Sequence, residues 1–215
     1  MAGHPARASS RLTRKACIAA AVLVASACSD AFMSTPGGPT ESSEAMLNIV
    51  EVAPGSPPPE ATVVTFYARS GTESQGRVFL GDGHGGRGAE YLRLTLDRNS
   101  LAAHPDGSPF ADGDSIQITI RVMDPSKILF QMEPAGLRFS DTSPAELRIS
   151  YAPADGDLDH NGRKEEVDDS LENHLAIWRQ AGTGTAYIRL PSTVSRSGRT
   201  VRADLPGFSR YAIAY

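Results

Sequence analysis

Ser115-Ile116-Gln117-Ile118-Thr119-Ile120-Arg121-Val122 sets Ile116, Ile118 and Ile120 on one side of the chain and Gln117, Thr119 and Arg121 on the other. Successive side chains of a β-strand point to opposite faces, so an apolar/polar alternation of period two marks a half-buried strand. The same period recurs on either side of this segment. Val64, Phe66 and Ala68 alternate with Val63, Thr65 and Tyr67; Leu92, Leu94 and Leu96 with Arg93 and Thr95; Leu147, Ile149 and Tyr151 with Arg148 and Ser150. Shorter candidates are 128–132, 137–139, 175–178, 187–190, 201–205 and 211–215. Turn formers separate them, as in Pro105-Asp106-Gly107, Asp112-Gly113-Asp114 and Ser195-Arg196-Ser197-Gly198. Many short strands with almost no helical period predict an all-β protein built as an antiparallel β-sandwich.

Two further stretches are more specific. Pro134-Ala135-Gly136-Leu137-Arg138-Phe139 is followed by Pro144-Ala145-Glu146-Leu147, and the chain closes on Phe208-Ser209-Arg210-Tyr211-Ala212. This resembles the ZU5-type β-sandwich over residues 61–215. The resemblance implies an interaction module in which the prolines and the glycine shape turns and the aromatics fill the core. Some members of that family cut their own backbone at His-Phe-Ser; here the tripeptide is Gly207-Phe208-Ser209. A serine without an adjacent base is a weak nucleophile. No catalytic residue is expected, and the chain is read as a non-enzyme.

The strongest signal for site chemistry lies in an insertion, 152–174, after Tyr151. Asp157-Leu158-Asp159-His160-Asn161-Gly162-Arg163-Lys164-Glu165-Glu166-Val167-Asp168 follows the twelve-residue calcium loop of EF-hands. Asp157, Asp159 and Asn161 hold positions one, three and five, where side-chain oxygens meet a hard cation. Gly162 at six permits the sharp turn. Arg163 would offer its carbonyl at seven, Glu165 would act at nine, and Asp168 would close the loop at twelve. An aspartate in that last place resembles dockerin-type loops. A short polar helix is expected over 166–173. Three features depart from a complete hand: Lys164 replaces the apolar residue of position eight, the preceding Ala152-Pro153-Ala154 cannot form an entering helix, and there is one copy only. Ca2+ is the expected ion, and a solvated acidic turn is the alternative.

The N-terminus predicts location. Arg7, Arg11, Arg14 and Lys15 precede an apolar run from Ala16 to Val24, too short for a transmembrane helix. The run ends in Ala25-Ser26-Ala27-Cys28. Residues 1–27 read as a signal peptide of lipoprotein type with Cys28 as the lipidated N-terminus; Ala25-Ser26-Ala27 equally suits ordinary secretion. Cys17 lies in the leader, so Cys28 would be left without a disulfide partner, a thiol that acylation accounts for. Residues 28–60, rich in Ser, Pro, Gly, Thr and Glu, read as a disordered tether, interrupted only by Ala45-Met46-Leu47-Asn48-Ile49-Val50 as a short strand or contact segment.

The formal net charge is −4, and the leader contains four of the 21 basic side chains and none of the 25 acidic ones. An acidic surface of this kind argues against nucleic acid as a partner. Gly81-Asp82-Gly83-His84-Gly85-Gly86-Arg87-Gly88 matches no phosphate loop and reads as a hairpin tip, and Trp178 reads as core. The expectation is a lipid-anchored cell-envelope protein, held to a membrane through Cys28. It would act as a non-catalytic interaction or scaffolding module for an envelope protein or glycan. The alternatives are a secreted carbohydrate-binding or enzyme-accessory domain, and a structural envelope lipoprotein without metal.

Overall fold

The computed structural model of the chain describes residues 40–180, 184 and 186–215. In chain order the first strands are β1 (Glu41–Ser43), β2 (Val63–Arg69), β3 (Ser74–Gly81), β4 (Arg87–Leu96) and β5 (Leu101–Ala103). They are followed by β6 (Ser115–Val122), β7 (Leu129–Glu133), β8 (Arg138–Phe139) and β9 (Ala145–Ser150). Helix α1 (Glu166–His174) precedes β10 (Ala176–Gln180), β11 (Ala186–Arg189), β12 (Ser192–Ser195), β13 (Thr200–Leu205) and β14 (Arg210–Ala214). Seven strands form one sheet in the order β1-β11-β10-β14-β7-β6-β2, and five form a second, β12-β13-β9-β4-β3; β5 and β8 make a small ribbon. The pairings are antiparallel, and the two sheets pack face to face as a sandwich.

Alternation explains the core. Across the five-stranded sheet the register sets Val201, Ile149, Leu92 and Val78 in one row and Ala203, Leu147, Leu94 and Gly76 in the next. These side chains are buried against Ile118, Ile120, Phe130, Met132, Tyr211 and Ile213 of the opposite sheet. Each large aliphatic so buried contributes about 1.5–3 kcal/mol before the ordering entropy is set against it. Gly76 breaks the row for a steric reason: a Cβ there would lie 2.2 Å from the ring of Phe66 on β2. The glycine also hid β3 from the sequence pattern, because it interrupts the apolar face where the Phe66 ring packs against the strand. The short strands β1, β5 and β12 were missed as well.

The tether reading fails for residues 41–60. Strand β1 pairs with β11. The Val50 N–H donates to the Ile213 carbonyl at 2.9 Å, Val52 N–H to Ser126 at 2.8 Å, and Gly81 N–H to Pro58 at 2.8 Å. Leu47 and Ile49 lie on the outer face of the seven-stranded sheet, over Trp178, Tyr187, Ala212 and Ala214. A segment too polar to build a core can still order itself by covering an apolar face that another part of the chain provides. Trp178 belongs to this second cluster, 5% exposed, and its indole N–H donates to the Ala214 carbonyl at 3.2 Å. Residues 1–39, with the expected leader and Cys28, lie outside the described residues. Among those described, no helix is long and apolar enough to cross a membrane.

Candidate metal centre

The insertion leaves β9 through turns, with Val52 bridged to Ala154, so no helix enters the acidic loop. The loop is shaped by its own carboxylates. Asp157 accepts the N–H groups of Asn161 (3.0 Å) and Gly162 (2.7 Å). Asp159 accepts from the Asn161 backbone (3.2 Å) and from its side-chain amide (2.9 Å), and the Asn161 Oδ1 accepts the Arg163 N–H at 2.9 Å. This succession of side-chain-to-backbone turns winds the chain tightly. It requires a left-handed residue at the crest, and Gly162 has φ 85°.

Asp168 reaches back from the first turn of α1. It is 1% exposed and accepts three backbone N–H groups: Leu158 at 2.7 Å, Asp159 at 3.2 Å and Glu165 at 2.7 Å. Led by the Glu165 bond, these hold its carboxyl below the usual carboxylate range. The Glu165–Asp168 bond is half of a capping box, the other half being the Glu165 side chain on the Asp168 N–H. The helix start and the loop closure are thus one device.

The result is a group of three carboxylates, from Asp157, Asp159 and Asp168, whose facing oxygens lie within 4.8 Å of one another. An ionised carboxylate offers about four lone-pair sites. The internal bonds use two on Asp157, two on Asp159 and three on Asp168, so each keeps capacity for a cation. The donor set is all oxygen and could hold a metal ion. Of the other expected ligands, Asn161 stands between Asp159 and Arg163 in the turn. Arg163 engages Asn161 through its backbone N–H while its side chain approaches Glu165 at 4.0 Å. Glu165 is not gathered with the three aspartates; its carboxylate caps the helix.

Two anchoring residues escaped the sequence reading. Leu158, at loop position two, is buried in the main core, and the Tyr215 hydroxyl donates to its carbonyl. They pin the loop to the sandwich in place of the apolar residue usual at position eight. Lys164, which stands there, lays its stem over Gly156, where a Cβ would meet Lys164 Cδ at 3.1 Å. Helix α1 is fastened to the five-stranded sheet by Tyr151, whose hydroxyl donates to Glu172 at 2.8 Å, and by Arg196, which pairs with Asp169 at 3.1 Å and Glu172 at 3.2 Å.

The remaining motifs are placed by packing. The Ser209 hydroxyl donates to the Gln180 carbonyl at 2.8 Å. A Cβ on Gly207 would lie 2.5 Å from the Leu137 carbonyl oxygen, so no larger side chain fits beside that serine. The glycine-rich stretch is the turn between β3 and β4, wound around Asp82, which accepts from His84 and Gly86 at 2.8 Å each. Comparison with protein-family models, with curated proteins and with solved structures finds no match to this chain.

Proposed function

We propose that this chain is a non-catalytic interaction module of ZU5-like type whose inserted loop binds a calcium ion. The observation that carries the reading is the convergence of Asp157, Asp159 and Asp168 within 4.8 Å. Calcium takes oxygen ligands at about 2.3–2.6 Å, so its shell is roughly 5 Å across, whereas magnesium demands a tighter octahedron and retains its water. A loop of mixed carboxylate, amide and carbonyl oxygens suits the larger and less demanding ion. Zinc and copper prefer nitrogen and sulfur, and the acidic group contains neither. The ion would neutralise three clustered charges and stiffen the start of α1. An affinity on the order of 10⁻⁴–10⁻³ M, typical of extracellular modules, goes with ordering rather than signalling.

Calorimetric titration of the full chain with calcium tests the reading, beside Asp159→Ala, which alters an exposed member and leaves the buried Asp168 in place. Saturable heat that is lost in the variant supports the site. No heat up to several millimolar reduces the loop to a solvated acidic turn.

The same reading places the module at the cell envelope, lipidated on Cys28. The leader and the Ala25-Ser26-Ala27-Cys28 junction support it. Cys28→Ala should abolish incorporation of labelled fatty acid and move the protein from the membrane to the soluble fraction. Unchanged membrane association in that variant would remove the anchor from the account.

A further inference from the structure

Arg202 lies opposite Arg148, Arg148 opposite Arg93, and Arg93 opposite Arg77 in the register of β13, β9, β4 and β3. Residues directly opposite share a face, and neighbouring strands are spaced by about 4.8 Å, so the four side chains form one row about 14 Å long. Their chain neighbours Val201, Ile149, Leu92 and Val78 are buried in the sandwich, which turns the arginines outward. Arg77, Arg148 and Arg202 are exposed and Arg93 half-buried. Thr193 continues the row onto β12, so it crosses the whole five-stranded sheet.

Like charges directly opposite one another weaken a sheet, so stability does not account for this arrangement. Nearby carboxylates offset it in part. Glu90 lies 2.8 Å from Arg93 and 3.7 Å from Arg77, and Glu146 lies 3.5 Å from Arg202. Arg148, in the middle, has no ion-pair partner among the described residues. In a chain of net charge −4, four arginines beside the three carboxylates of Glu90, Glu146 and Asp204 leave a local net positive charge.

We propose that this arginine row binds a linear acidic polysaccharide, with its carboxylate groups taken by the guanidinium forks. The row is one residue wide, and the next row on the same face holds Gln75, Thr95, Glu146 and Asp204. A flat anionic membrane would press against Glu146 and Asp204 as well as the arginines. A single strand lying along the row follows the four arginines, with Arg93 already held by Glu90 and Arg148 free of any ion pair among the described residues. Arginine pairs with planar carboxylates through two parallel hydrogen bonds, and the amide and hydroxyls of Gln75, Thr95 and Thr193 are suited to sugar hydroxyls. Single-stranded nucleic acid sites add aromatic platforms to their cations. Here the flanking ring, Phe79 opposite Glu90, is already covered by Arg87 at 4.4 Å.

The proposal rests on the reading of the domain as an interaction module, and not on the metal loop. The test is binding of the full chain to polygalacturonate, with neutral dextran and a thymidine oligonucleotide as controls. Saturable binding to polygalacturonate that weakens with salt, and none to dextran, is expected. Arg148→Gln should weaken it about tenfold, the loss of one charge-assisted contact, and Arg148→Lys by less. Because a like-charge neighbour is removed, Arg148→Gln should melt at the same or a higher temperature, which separates lost binding from lost fold. Arg148→Gln should keep its calcium affinity, and Asp159→Ala its polysaccharide affinity. The proposal is overturned by an absence of binding, by full affinity in Arg148→Gln, by loss of binding in Asp159→Ala, or by an oligonucleotide bound as tightly as polygalacturonate.

Discussion

Gly207→Ala should destabilise this protein far more than its single methyl group suggests. The residue joins β13 to β14 and is bridged to Arg138, while the Phe208 N–H donates to the Leu137 carbonyl at 3.2 Å. The added Cβ would sit 2.5 Å from that same carbonyl oxygen. Carbon–oxygen contacts between packed strands run at about 3.3–3.6 Å, so the two segments must separate by roughly 0.8 Å. The obstacle is backbone and cannot be rotated aside. Overpacking of this kind costs about 1–3 kcal/mol, and loss of the hydrogen bond that holds the segments together adds about 0.5–1.5 kcal/mol. At about 2–4 °C per kcal/mol for a chain of this length, the melting temperature should fall by about 3–18 °C. Thermal unfolding followed by circular dichroism measures it. Gly81→Ala is the matched control: its Cβ would meet the Pro58 carbonyl at 3.4 Å, an ordinary contact. That change should stay within about 1 kcal/mol, and reduced freedom of the unfolded chain can even make it stabilising. The reasoning is refuted if Gly207→Ala melts with the parent, or if Gly81→Ala falls as far.

The outer cluster makes a second prediction. Trp178→Ala should cost about 3–5 kcal/mol by urea unfolding, because the indole is covered by Leu47 and Ile49; a surface-like change near zero would mean that the 41–50 segment does not pack there. Alkaline titration makes a third. Burial raises the hydroxyls of Tyr91, Tyr151 and Tyr211 above the ordinary tyrosine value. A group whose folded pKa is raised contributes stability that is complete below its unfolded pKa, about 10, and is lost as pH rises beyond it. Tyrosinate absorbance from these rings should therefore appear together with loss of the β circular-dichroism signal; early ionisation in a folded protein would contradict the packing.

The sandwich was legible where alternation runs unbroken, as in β2, β4, β6, β9 and β13, since one buried face imposes period two on the sequence. It was illegible where the cause lies elsewhere in the chain. Gly76 is glycine because of Phe66, and 41–60 is ordered because β3, β11, β14 and the 126–128 segment supply its partners. The spacing of the acidic loop was readable because its carboxylates are local in sequence, and Asp157, Asp159 and Asp168 do converge. Glu165 caps α1 and stands apart from the three aspartates, because one sequence pattern serves both a loop ligand and a helix cap. Leu158 and Tyr215 could not be found by spacing: their contact spans 57 positions.

Terbium luminescence tests the central claim most directly. The Tyr215 ring stands at the loop, its hydroxyl on the Leu158 carbonyl, so a lanthanide held by Asp157, Asp159 and Asp168 lies beside a natural sensitiser. Excitation of tyrosine should produce saturable terbium emission that calcium displaces at millimolar concentrations and magnesium does not, and both Asp159→Ala and Tyr215→Phe should lose most of it. Emission that is absent, or that persists unchanged in Asp159→Ala, would show that the acidic loop is not a calcium site.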